Sequence, residues 1–162
     1  MRRFFISALV FAFACCVGCS ETSDQTLVDS TETDLTSLQQ SIPANIALQD
    51  VVDTYVVGSR NTDIQRERIA EKLIGSTVVW TFTIFDVAKE GERYRVSSEL
   101  MSSSSPGGIG KFAVVAYVFP RGQSDQHAIE KLMTGDAVKV KGLVQSVNLR
   151  TALVLSPAVL AD

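Results

Sequence analysis

Gly135-Asp136-Ala137-Val138-Lys139-Val140-Lys141-Gly142-Leu143-Val144 is the stretch on which the fold turns. Val138, Val140 and Val144 fall on one side of a two-residue period, while Lys139 and Lys141 fall on the other. Such alternation is the mark of a strand with one buried face. Gly142 stands at a position of the apolar face, where the lack of a side chain lets a strongly coiled strand bend. Gly135-Asp136 turns the chain into this strand, which is predicted over 137–147. Residues 148–151 turn again, and a last strand is predicted over 152–160.

Reading backwards from that stretch, the same period recurs. Residues 77–87 alternate, with Val78, Trp80, Phe82 and Ile84 on one face and Val79, Thr81, Thr83 and Phe85 on the other. Lys89-Glu90-Gly91-Glu92 is a hairpin turn in which Gly91 supplies positive φ. A second strand is predicted over 93–100, with Tyr94, Val96 and Ser98 inward and Arg93, Arg95 and Ser97 outward. Residues 102–110 (SSSSPGGIG) read as a flexible loop, and a third strand follows over 111–119. A short helix over 125–133 separates the third strand from the fourth, with Ala128, Ile129, Leu132 and Met133 on one face.

Two helices precede the strands. Over 45–57, Ile46, Leu48, Val51, Val52, Tyr55 and Val56 recur at spacings of three and four. The second helix runs over 63–73, capped by Asn61 or Thr62 and stopped at Gly75. Ile69 and Leu73 mark its buried side, and Arg66, Glu67, Arg68, Glu71 and Lys72 its wet side.

Five strands with a short helix between the third and fourth is the order of an OB-fold barrel. The runs Gly75-Ser76-Thr77-Val78-Val79-Trp80 and Gly135 to Val144 resemble the first and fourth strands of the tRNA-anti-like OB-fold family, which includes small bacterial lipoproteins. The resemblance spans roughly 51–161 and implies an all-β domain of 42–162: a five-stranded barrel preceded by one or two helices. Position 82 is Phe where related sequences often have Gly, which implies a fuller barrel or a less curved first strand.

The N-terminal region concerns location. Arg2-Arg3, the apolar run Phe4 to Val17, then Gly18-Cys19, resembles the leader and lipobox of bacterial lipoproteins, with Cys16 where that pattern prefers Leu. The apolar run is shorter than the ~20 residues of a membrane-spanning helix. Residues 1–18 are therefore read as a signal peptide and Cys19 as the acylated residue, and two or more acyl chains hold a protein stably on a membrane. Ala12-Phe13-Ala14 also satisfies the rule for ordinary signal cleavage. That cut would leave Cys15, Cys16 and Cys19, an odd number of thiols, in an oxidising compartment. Ser20 after the cysteine implies, by the same resemblance, the periplasmic face of the outer membrane. Residues 19–41 hold Glu21, Asp24, Asp29, Glu32 and Asp34 without Lys or Arg and read as an acidic flexible tether. The acidic excess of the mature chain sits there, because acidic and basic residues cancel over 42–162.

A domain without net positive charge disfavours general nucleic-acid binding. No catalytic constellation stands out, and no cofactor or metal is expected. His127 is the sole histidine, which excludes a multi-histidine zinc site. Asp86, Glu90 and Glu92 gather at the first hairpin, but Lys89 and Arg93 stand among them, as in a solvated turn. OB-folds bind ligands across strands two and three, which here points to Arg93, Arg95 and Lys111. Phe112, Val114, Ala116 and Val118 are read as the outward side of strand three, a poor stacking platform. The helix over 45–57 is read as the cover of that apolar outer face. The expectation is a non-enzymatic, lipid-anchored envelope module with a protein partner. The alternative is nucleic-acid or oligosaccharide binding through strands two and three.

Overall fold

A computed structural model describes residues 34–104, 107, 110–148 and 151–161. The signal peptide, Cys19 and the tether as far as residue 33 lie outside the described residues. Helix α1 covers 34–40, followed by α2 (Leu48–Tyr55) and α3 (Asp63–Leu73). Strands β1 (Thr77–Glu90), β2 (Arg93–Ser98), the two-residue β3 (Met101–Ser102) and β4 (Lys111–Val118) come next. Helix α4 (Gln123–Glu130), β5 (Ala137–Asn148) and β6 (Ala152–Leu160) complete the chain.

Strand β1 pairs antiparallel with β2 on one side and with β5 on the other. Strand β2 pairs antiparallel with β4, β4 parallel with β6, and β6 antiparallel with β5. The ring β1–β2–β4–β6–β5 is closed, with β3 appended to β4 through Met101 and Phe112. This is the OB-fold expected from the sequence, with α4 between its third and fourth barrel strands. The first hairpin turns tightly, Glu90 facing Arg93 and Gly91 at φ +65°.

Alternate residues fill the barrel, as the two-residue period requires. Val78, Trp80, Phe82 and Ile84 of β1 are buried, with Tyr94 and Val96 of β2, Val138, Val140 and Val144 of β5, and Leu153 and Leu155 of β6. Phe82 thus packs the interior of the barrel. Strand β1 still bends, because its register with β2 skips one residue between Ile84 and Asp86. That bulge leaves Phe85 64% exposed. Gly142 has a sharper role than bending. A Cβ placed on it meets Leu155 Cβ at 3.0 Å and Ala158 Cβ at 3.1 Å, so β5 and β6 approach more closely there than a side chain permits.

Several sequence expectations are corrected. First, residues 34–40 of the expected tether are helical. Leu38 is buried, and Lys141 Nζ donates to Gln39 O (3.0 Å) and Ser41 O (2.8 Å). Second, α2 starts at Leu48 rather than 45, because the backbone before it pairs with the barrel. Ala44 N–H donates to Thr77 O (2.8 Å), and Ile46 O accepts from Trp80 Nε1 (2.8 Å).

Third, α2 does not cover an outer sheet face. Its Val51, Val52 and Tyr55, with Val56 beyond it, join the core. The Tyr55 ring lies 6.0 Å from that of Phe112, at the start of β4. Helix α4 sits by the other end of that strand: its Glu130 accepts from Tyr94, whose register partner is Val118. The two helices therefore stopper opposite ends of the barrel, ~20 Å apart along β4.

Fourth, Arg66 is buried, not on the wet side of α3. Its Nε donates to Thr54 O (3.2 Å), its NH2 to Ser59 Oγ (3.1 Å) and its NH1 to Asp63. Tyr55 OH donates to Arg66 O (3.1 Å). Arg66 fastens α3 to the end of α2, and α3 itself begins in a capping box between Thr62 and Gln65. Helix α4 ends at Glu130, short of 133. Lys131 and Leu132 N–H bond to carbonyls three residues back, and Met133 N–H turns to the Asp136 carboxylate, leaving the Met133 side chain exposed.

Candidate functional site

The outer face of β1, β2 and β4 carries a ladder of charges. Opposite Arg95 stand Ala88 on β1 and Tyr117 on β4. Asp86 and Glu90 are two residues to either side of Ala88 on the same face, within reach of a guanidinium. Arg95 uses all three nitrogens: Nε donates to Glu90 (3.0 Å), NH1 to Ser97 Oγ (3.1 Å) and NH2 to Asp86 (3.3 Å). Arg93 lies 3.6 Å from the other Glu90 oxygen, and its guanidinium stacks over the Tyr117 ring at 4.1 Å. Two cations meet two carboxylates, so the face is neutral as built. These groups are partly exposed, where each ion pair contributes ~0–1 kcal/mol and the stack ~0.5–1 kcal/mol. The ladder organises the surface more than it holds the fold together.

Tyr117 is the residue that sequence reasoning missed. Phe112, Val114, Ala116 and Val118 are fully buried inside the barrel, opposite to the expected parity. Ala113, Val115 and Tyr117 face out, half-buried. The run Lys111 to Val118 is apolar at both parities, so its own pattern does not fix which side faces in. Pairing fixes it, because Tyr94 and Val96, inward by their own alternation, face Val118 and Ala116. Carrying the parity of β2 across to its partner finds Tyr117 beside the arginines.

The three residues assigned to ligand binding are not one group. Arg93 and Arg95 share the ladder. Lys111 lies ~20 Å along β4 from Tyr117, with its Nζ donating to Ser102 Oγ (3.1 Å). Beneath the ladder, Tyr94 OH donates to Glu130 at 2.6 Å. That hydrogen bond, then burial, raises the tyrosine pKa. The same bond, with one from Gln126, lowers that of the Glu130 carboxyl.

A second polar cluster pins the serine-rich loop. Asp53 on α2 accepts from Ser103 Oγ (2.8 Å), Ser104 N–H (2.7 Å), Ser104 Oγ and Gln49 Nε2 (3.1 Å). These donors, Ser104 foremost, lower its pKa from 3.8 to about 2. At the loop's far end, a Cβ on Gly110 would come within 2.6 Å of Val57 N. The start of the loop read as flexible is thus hydrogen-bonded to α2, and Gly110 at its end lies close against Val57, just beyond that helix. His127 is exposed, with Nδ1 2.7 Å from Gln123 O. Among the described residues no group of three His, Cys, Asp or Glu is placed to hold a metal ion. No described helix is long and apolar enough to cross a membrane.

Closed ring, parallel β4–β6 pair and intervening helix define an OB-fold with helical stoppers. No family model and no curated protein matches the chain. Among solved structures it is similar to a Klebsiella pneumoniae lipoprotein named for a proposed nucleic-acid-binding role. The identity is 17%, covering 67% of this chain and 91% of that one, with a TM-score of 0.39. It is also similar to OBody AM3L15 bound to hen egg-white lysozyme (19% identity, 59% and 85% covered, TM-score 0.34). Asparaginyl-tRNA synthetase from Pyrococcus horikoshii is similar at 17% identity, with 57% of this chain and 21% of that one covered and a TM-score of 0.31. At such scores the fold assignment rests on this chain's own strand pairing.

Proposed function

We propose that the chain is a lipid-anchored envelope protein whose OB-fold works by binding a protein partner and not by catalysis. The leader from Arg2 to Cys19 supports the anchor. The neutral ladder carries the binding mode: on the face where OB-folds take ligands, both arginines are already met by Glu90 and Asp86. A polyanion docking there must compete for the arginines with carboxylates that remain beside it and repel it. A protein surface of mixed charge can exchange ion pairs with the ladder and lay apolar atoms on the Tyr117–Arg93 stack. Aromatic and arginine side chains are enriched where protein interfaces concentrate their binding energy.

Palmitate labelling tests the anchor: label enters the wild type and not Cys19→Ala, and no label in either refutes it. Crosslinking in intact envelopes from a photoreactive residue at position 97 tests the face. A discrete protein adduct, lost on Tyr117→Ala with Arg93→Ala, supports the proposal, and an adduct that survives the double change refutes it.

The Arg93–Tyr117 stack also favours a second reading, nucleic-acid or oligosaccharide binding, since arginine beside a stacking aromatic is a single-strand recipe. Single-stranded DNA binding that falls steeply with salt and is lost in Arg93→Ala and Tyr117→Ala would establish it. Salt-independent binding of an uncharged oligosaccharide, lost in the same variants, would favour the glycan.

A further inference from the structure

We infer that docked helix α1 fixes which side of the barrel faces the membrane, holding the β5–β6 seam toward the bilayer and the Arg93–Tyr117 face away from it. The inference rests on the anchor at Cys19 proposed above. Gln39 lines a shallow pocket with Lys141 of β5, Val159 and Leu160 of β6, Ala161 and Arg121. Lys141 and Val159 are register partners, so α1 ends over the β5–β6 seam. Lys141 Nζ holds the last carbonyls there, as a cation at a helix C-terminus does, and Leu38 is buried to 4% exposure. In the ring β1–β2–β4–β6–β5 the strand across from that seam is β2, which carries Arg93, Arg95 and Ser97. The chain enters the domain on the side opposite the candidate ligand face.

Chain length makes this placement consequential. From Cys19 to the first described helical residue, Asp34, is ~15 residues, with a fully extended reach of about 50 Å. A globular domain of this size has a radius of ~18 Å, so half its circumference is ~55 Å. With α1 docked, the path from its start around to β2 is longer than even the fully extended chain from Cys19 can span. With α1 released, the free stretch lengthens to the Ala44–Thr77 hydrogen bond, ~25 residues and about 85 Å. Any side of the barrel can then reach the membrane. Leu38 and Lys141 therefore act as the orienting latch.

The test uses the processed chain reconstituted in vesicles that contain nitroxide-headgroup lipid, with one fluorophore at Ser146→Cys on β5 or at Ser97→Cys on β2. The expected result is several-fold stronger quenching at position 146 than at 97, with the ratio approaching one in Leu38→Asp combined with Lys141→Ala. Equal quenching at the two positions, or a ratio that the latch variants leave unchanged, overturns the inference. Vesicle flotation separates the two readings: a chain that does not float has no anchor, which defeats the proposed attachment and this inference with it. A floating chain with symmetric quenching defeats the orientation alone. Amide exchange over 35–41, slow in the wild-type chain and fast in the latch variants, confirms that those variants undock α1. Fast exchange already in the wild type overturns the latch.

Discussion

Replacing Gly142 with alanine adds one carbon between the two most extensively paired strands. Its Cβ falls 3.0 Å from Leu155 Cβ, 3.1 Å from Ala158 Cβ and 3.3 Å from Leu155 Cδ1. Carbon atoms at their optimal separation lie about 3.5–4.0 Å apart, so every contact overlaps by a few tenths of an ångström or more. Leu155 Cδ1 can rotate away. The two Cβ atoms cannot, because each is bonded to the backbone of β6, and Ala158 is the register partner of Gly142. Relief therefore means prising β5 from β6. Overpacking of this kind costs about 1–3 kcal/mol. Against it stands the ~0.5–1 kcal/mol that alanine normally gains over glycine within a strand. The net expectation is a loss of ~1–2 kcal/mol, a fall in Tm of roughly 4–8 °C for a domain of this size. Calorimetry with urea titration reads it as a lower midpoint at unchanged m-value. Adding Ala158→Gly should recover part of the loss, a favourable coupling of ~0.5–1 kcal/mol in the double-mutant cycle. Gly122→Ala is the control, since a Cβ there meets nothing within 4 Å and its φ of 164° is ordinary extended backbone. An unchanged midpoint in Gly142→Ala would refute the close-approach argument, and so would an equal loss in Gly122→Ala.

Arg66→Ala withdraws the donors from Thr54 O and Ser59 Oγ, and should cost ~2–4 kcal/mol by urea titration because hydrogen bonds from charged groups contribute about 1.5–3 kcal/mol each. Arg66→Lys should recover little of it, since a single ammonium does not reproduce the guanidinium fork. The Asp53 carboxyl, lowered to about 2 in the folded chain, contributes stability that is complete above its unfolded value near 4 and is lost as pH falls toward 2. In Asp53→Asn the stability measured between pH 5 and pH 2 should therefore fall less steeply, and amide exchange at Ser104 should quicken. Burial pushes the Tyr55 phenol up to about 12, so its contribution is intact below pH 10 and is lost as pH rises through 12. Tyr55→Phe should cost ~1 kcal/mol for the hydrogen bond to Arg66 O and remove a step near pH 12 from an alkaline absorbance titration.

The barrel was legible because β2 and β5 each carry one face too polar to bury, and β1 sets Trp80 and Phe82 on one face against Thr81 and Thr83 on the other. Strand β4 was not, because alanine, valine and phenylalanine suit either side of a sheet. Only its partners settle the parity, and the error there moved four side chains to the wrong face and hid Tyr117. Helix starts failed for a related reason. Periodicity marks Ile46 as helical, yet its carbonyl belongs to Trp80, a partner 34 positions away that no local pattern registers. Arg66 was misplaced because charge was taken as exposure, whereas a guanidinium whose three nitrogens each find an oxygen acceptor can be buried. Among the described residues no buried side-chain nitrogen or oxygen lacks a hydrogen-bond partner, so each buried polar group must have found one, and most of those partners are distant in sequence.

The same reasoning bears on the candidate face. Read singly, Arg93 and Arg95 are two outward cations on a ligand-binding strand, and the inference drawn from them is an anion site. Read with the register, each meets a carboxylate on β1: a two-residue hairpin sets Glu90 against Arg93, and Ala88 against Arg95 with Asp86 and Glu90 to either side. Hairpin geometry, not a ligand, accounts for the arginines' positions. What the ladder leaves to a partner is the flat surface of a guanidinium laid on a tyrosine ring, bordered by charges that sum to zero. A surface with no net field does not steer ligands from a distance, so recognition on it depends on shape and close contact. Under the attachment proposed at Cys19, slow encounter suffices, because confinement at one membrane would keep a co-anchored partner's local concentration high.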